Sequence, residues 1–114
     1  MRKSILLISL LFFSVVSFAQ DSADLNKIEI IQEKGTLYTL QIEYTPSLDE
    51  AWFVYTIPSS LFEQGEAMKI IREKAQSFTK ERGYFFYTYM GADITKYDYE
   101  KKVARYMSHI KFLN

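Results

Sequence analysis

The chain contains no cysteine, one histidine, one tryptophan, two prolines and four glycines in 114 residues. Each scarcity removes a class of chemistry. Without cysteine there is no disulfide, no thiolate nucleophile, no lipid-carrying cysteine and no ordinary zinc set. A Ser–His nucleophile would have to use His109, and no Gly-x-Ser-x-Gly turn presents a serine to it. Gly35, Gly65, Gly83 and Gly91 stand apart from one another, so none builds a phosphate-cradling loop. The acidic residues lack the Asp-x-Asp-x-Asp-Gly spacing of a calcium loop, and Asp93, Asp98 and Glu100 read as solvated surface near a loop. Paired carboxylates acting as acid and base stay open, because their separation in space decides that chemistry. Glu63 and Glu66 already have a structural role at the start of a helix. The expectation is a chain that is not an enzyme and that holds no cofactor and no metal.

An excess of one charge is also missing, with 14 Lys and Arg against 14 Asp and Glu. That balance argues against a nucleic-acid partner, which would call for a basic stripe, and against a polybasic membrane-surface binder. The longest apolar run, Ile5 to Phe18, is about 14 residues and is broken by serines, short of the roughly 20 that a spanning helix needs.

That run has another reading. Arg2 and Lys3 precede it, and Ser17-Phe18-Ala19 supplies small residues at the −3 and −1 positions of a cleavage site before Gln20. Residues 1–19 are therefore expected to be a secretory signal peptide, cleaved between Ala19 and Gln20. Removing 19 of the 114 residues leaves 95, enough for one small domain. Arg2 and Lys3 leave with the signal, so the mature chain is slightly acidic. The expected location is the periplasm or the exterior, with no membrane anchor after cleavage. Residues 20–26 read as a flexible leader and 27–114 as a single α+β domain.

What the chain does have is aromatic rings, 17% of all residues, with all nine tyrosines after the signal. A cysteine-free domain of this size relies on its apolar core, and each large ring buries on the order of 150–250 Å². Thr36 to Thr45 alternates cleanly, with Tyr38, Leu40, Ile42 and Tyr44 on one face, and reads as a half-buried strand. Lys27 to Gln32 alternates around Ile28 and Ile30. A three-residue Glu33-Lys34-Gly35 loop would set Ile30 opposite Tyr38 and Ile28 opposite Leu40. Ala51 to Ile57 supports two readings: Ser47 and Glu50 have capping-box spacing and Leu48, Ala51, Trp52 and Tyr55 helical spacing, but the run is dense in strand formers and ends at Pro58, and the expectation is a third strand. Ser60 and Glu63 have capping-box spacing before a helical recurrence of Ala67, Met68, Ile71, Ala75 and Phe78, which Gly83 closes. Tyr84 to Met90 is a strand that is apolar on both faces. Asp93 to Lys102 reads as a polar connection, and Lys102 to Leu113 as a strand with a competing helical grouping.

The expected architecture is thus a two-layer α+β sandwich: an antiparallel sheet of four to five strands in the order β-β-β-α-β-β, with one main helix. A lone helix covers one sheet face and leaves the other open. Either Phe85, Tyr87 and Tyr89 or Tyr84 and Phe86 must point to that open face and form an interaction surface there, with Phe85, Tyr87, Tyr89 and Trp52 as its candidate residues. The expected function is binding of a protein partner, or self-association, through that aromatic face. The alternative is a carbohydrate or small-ligand module of the cell envelope, using Tyr or Trp52 rings as stacking platforms.

Overall fold

The computed structural model describes residues 27–114 together with the backbone of one two-residue strand, β1 (Val16–Ser17). Apart from that strand, the expected signal, its cleavage site at Ala19 and Gln20, and the leader 20–26 lie outside the described residues. The elements that follow are β2 (Glu29–Lys34), β3 (Thr39–Thr45), β4 (Glu50–Pro58), α1 (Gln64–Glu81), β5 (Phe86–Tyr89), β6 (Ile94–Asp98) and β7 (Val103–Leu113). Every strand pairing is antiparallel, and the sheet runs β1-β2-β3-β4-β7. The far side of the 11-residue β7 carries two strands in succession. β6 pairs with its first half and β5 with its second. One helix lies on one face of this sheet, the two-layer α+β arrangement that the pattern predicts.

The strand alternation decides the core. Leu40, Ile42 and Tyr44 from β3 point toward the helix with Phe53, Tyr55 and Ile57 from β4. Tyr106, Ile110 and Phe112 complete this layer from β7. Ala67, Ile71, Ala75 and Phe78 meet it from α1, where the small alanines let the helix approach the sheet closely. Gly83, at φ 82°, ends the helix in the left-handed conformation that a side chain would resist. The Tyr84 N–H then closes on the Thr79 carbonyl at 2.9 Å, a Schellman-type stop. At the other end the expected cap differs. Ser60 belongs to a 3₁₀ turn (Ser59–Leu61), and α1 starts after Glu63, which makes no side-chain cap bond.

The first hairpin departs from the expected register. Lys34 faces Thr39, and the Gly35 N–H donates to the Tyr38 carbonyl at 2.8 Å, so Thr36 and Leu37 form the turn. Ile31 is opposite Ile42 and faces the core, while Ile30 is opposite Glu43 on the open side. The physical reason lies in the helix. Glu29 and Glu33 share the face of Ile31 and reach across to Arg82 (2.8 Å) and Lys74 (2.6 Å) at its rim. Two acids on the helix side disguise that face as polar when the strand is read alone.

β6 is the second departure, since residues 93–102 read as a connection. Its side chains alternate weakly, and its order derives from pairing with β7, from Ile94 opposite Met107 to Asp98 opposite Val103. Between β5 and β6 the ladder breaks. Tyr89 pairs with Ile110 and Ile94 with Met107, so residues 90–93 oppose only 108 and 109. This is a bulge of two extra residues, entered by the Met90 N–H bond to the His109 carbonyl (2.8 Å) and carried through Gly91 at φ 134°.

Candidate interaction surface

The bulge and the register together assign every ring of the 84–90 segment to a side. Tyr87 and Tyr89 are opposite Phe112 and Ile110, on the helix side of the sheet. Their rings sit 5.9 Å apart, and Tyr87 packs against the core. Phe86 and Thr88 take the open side, opposite Leu113 and Lys111. Phe85 precedes the strand, bonds Leu113 through its N–H (2.9 Å), and leaves its ring 80% exposed. Trp52 is on the open face, stacked on His109 with centroids 4.3 Å apart and planes within 9°. The four candidate residues therefore do not form one patch. Trp52 lies across β7 from the β5 rings, and Tyr87 and Tyr89 lie on the opposite side of the sheet from it.

The open face itself is polar more than aromatic. Across β2, β3 and β4 it presents Gln32, Gln41 and Val54 in one row and Ile30, Glu43 and Trp52 in the next. Gln32 donates to Gln41 (2.9 Å) and Gln41 to Glu43 (2.7 Å), a ladder of side-chain hydrogen bonds along the surface. His109 Nε2 contacts Glu50 Oε1 at 3.2 Å, and Lys111 reaches the Leu48 carbonyl at 2.9 Å. Between these rows and β6 the twisted sheet leaves a concavity of about 690 Å³.

Exposed apolar area concentrates elsewhere, along the outer edge made by β5, the bulge and β6. Phe85, Phe86, Tyr89, Met90, Ile94, Tyr97 and Tyr99 are all exposed there, Tyr99 to 84%. Phe85 and Phe86 lie 6.4 Å apart, and Tyr97 stacks on Tyr99 at 6.2 Å. This edge also carries backbone N–H and C=O groups facing away from β7. A long apolar sheet edge is a template for another strand, which soluble proteins ordinarily blunt with charge or cover. Tyr97 and Tyr99 are absent from the sequence-derived set. Their signal was the alternation Thr95, Tyr97, Tyr99, masked by intervening Lys96 and Asp98.

Two tyrosine–aspartate contacts brace this architecture from the helix side. The Tyr84 hydroxyl donates to Asp49 Oδ1 at 2.6 Å and lies 2.6 Å from the Tyr44 hydroxyl. Tyr106 donates to Asp93 Oδ2 at 2.5 Å, tying the bulge to β7. Asp49 is itself left-handed (φ 56°), and its carbonyl receives the Phe112 N–H at 2.8 Å. Next to the bulge, Ser108 is buried, and its hydroxyl has no hydrogen-bond partner among the described residues. An unpaired buried hydroxyl costs stability, so Ser108→Ala is expected to leave the protein as stable as the parent or up to about 1 kcal/mol more stable. Chemical denaturation checks this, and a loss larger than about 1 kcal/mol would mean the hydroxyl is bonded after all.

Among the described residues, no helix is long and apolar enough to cross a membrane, and no three His, Cys, Asp or Glu side chains converge as a metal would require. No family model, no curated protein and no solved structure matches the chain.

Proposed function

We propose that this chain is an exported, non-enzymatic domain that takes another polypeptide strand, from a partner protein or a second copy, against its β5–β6 edge. The observation that carries the reading is the placement of exposed apolar side chains. Seven large ones, five of them aromatic, fall between residues 85 and 99 on an edge that no other described strand pairs. Both halves of this edge offer main-chain hydrogen-bonding groups for β-augmentation, and the flanking rings supply area with little rotamer entropy to lose. The reading moves the expected interaction surface from the open face to the edge. It keeps Phe85, adds Phe86, Tyr97 and Tyr99, and leaves Trp52 to the other surface. Export rests on the Arg2–Gln20 pattern.

The test is light scattering across a concentration series, together with capture from the native envelope. Phe85→Asp with Tyr99→Asp alters the two most exposed rings, so the fold should be kept. Self-association or partner retention is expected to fall at least about tenfold, as for loss of aromatic hot spots. A parent protein that stays strictly monomeric and retains nothing would remove the proposal.

A further inference from the structure

We infer that Arg105 and Lys96 form the anion-binding end of a saccharide site in the open-face concavity, suited to a sugar chain with one carboxylate or sulfate. The two cations are directly opposite each other in the β6–β7 ladder. Like charges in that relation repel, and a sheet gains nothing structural from them. Four basic side chains among the described residues are half-buried: Lys74, Arg105, His109 and Lys111. Three of them contact Glu33, Glu50 or the Leu48 carbonyl. Among the described residues Arg105 has no hydrogen bond and no ion pair, although its guanidinium carries five donors. Asp98, on β6 with Lys96, and Glu100 just after it line an adjoining recess with the two cations but form no ion pair with either, and Asp98 Oδ1 receives the Lys101 N–H at 3.0 Å in the β6–β7 turn. A half-buried, unpaired arginine beside a second cation is what a carboxylate or sulfate ligand would complete.

The surroundings narrow the ligand. Arg105 and Lys96 line the 690 Å³ concavity together with Thr39, Thr56 and the Trp52 ring. Its floor is β3, β4 and β7, interior strands whose backbone groups are already paired in the sheet. A bound peptide backbone would find no ladder there, whereas sugar hydroxyls can use side-chain hydroxyls and amides, and sugar C–H faces can use Met107, Val54 and the indole. At the opposite end stands Glu43, four residues along β3 from Thr39, or about 13 Å. A second anionic group at that end would meet this carboxylate, so the favoured chain is acidic at one end and neutral at the other.

The experiment uses the full chain and calorimetric titration with four probes. These are an aldobiouronic acid, the same disaccharide with its carboxylate reduced to the alcohol, a monosulfated disaccharide, and inorganic sulfate. One of the two acidic disaccharides is expected to bind, and the preferred one identifies the anion. The reduced disaccharide is expected to bind at least about tenfold more weakly, and Arg105→Gln to impose a similar loss. Arg105→Gln is also expected to melt at or above the parent temperature, because it relieves the repulsion with Lys96. Equal binding of acid and alcohol, binding of inorganic sulfate alone, or no binding of any probe at millimolar concentration would overturn the site. So would a lower melting temperature, which would reveal a structural partner for the guanidinium. Binding of a short acidic peptide in place of the saccharides, lost with Arg105→Gln, would reassign the ligand and overturn the proposal as stated.

Discussion

Phe78→Ala is expected to cost about 3–5 kcal/mol of folding stability, the range for truncating a fully packed aromatic side chain. Phe78 is the one large ring that α1 delivers to the core. It meets Tyr44, Phe53 and Phe112 with centroids 5.0, 6.1 and 5.2 Å away, drawing β3, β4 and β7 together over one residue. The Arg82 guanidinium covers its outer side at 4.8 Å from the ring centre. The remaining buried residues of the helix are Ala67, Ile71, Ala75 and Thr79, none of them a ring that could replace it. Domains of ordinary stability have about 5–15 kcal/mol in total. With no disulfide to limit the unfolded chain, this substitution would remove a large part of that. Urea denaturation of parent and variant measures it. A loss under about 1.5 kcal/mol would show that the helix is held mainly by contacts other than this aromatic junction.

Alkaline solution is expected to unfold the protein in a way that two tyrosines dominate. Burial raises the Tyr84 phenol well above its ordinary value of 10.0, and its bonds to Asp49 and Tyr44 raise it further. Burial also raises Tyr106, with the Asp93 carboxylate adding to the effect. Tyr55 and Tyr89 shift in the same direction, again chiefly through burial. Below pH 10 these phenols are protonated in both folded and unfolded chains, and they add no pH dependence. Above it the unfolded chain gives up protons that the folded one keeps, so stability falls with each further unit of pH. Tyr106→Phe removes one such proton and is expected to flatten the decline between pH 10 and 12, while losing a hydrogen bond at neutral pH. Denaturant midpoints across that range decide the matter. Superimposable slopes for parent and variant would mean that Tyr106 titrates like an exposed phenol.

How much of this could be read from the sequence depends on what each segment needed as a neighbour. β3 and β7 carry their own evidence, since Leu40, Ile42 and Tyr44, or Tyr106, Ile110 and Phe112, alternate with polar residues whatever lies beside them. The helix does too, and Gly83 marks its end. β2 does not. Its register follows from Lys74 on the helix and Arg82 at its end, 41 and 53 residues beyond Glu33 and Glu29, and nothing between Glu29 and Lys34 announces those partners. β6 likewise is a strand because β7 is long enough to hold two strands on one side. For the same reason the sides of Tyr87 and Tyr89 could not be assigned. A strand with rings at nearly every position gives no polar face to orient it, and the pairing with Ile110 and Phe112 settles the choice.

The two-residue bulge has a consequence for how this molecule can associate with others. An edge of 13 uninterrupted residues rich in phenylalanine and tyrosine would favour endless stacking of one chain on the next, the route to fibrils. Here the outer rim is cut into lengths of four and five residues, Phe86–Tyr89 and Ile94–Asp98, that are two positions out of step against β7. An incoming straight strand can match one length but not both. Under the proposed edge docking, an added strand is therefore expected to end with one length or the other, and continuous stacking along the whole rim is disfavoured.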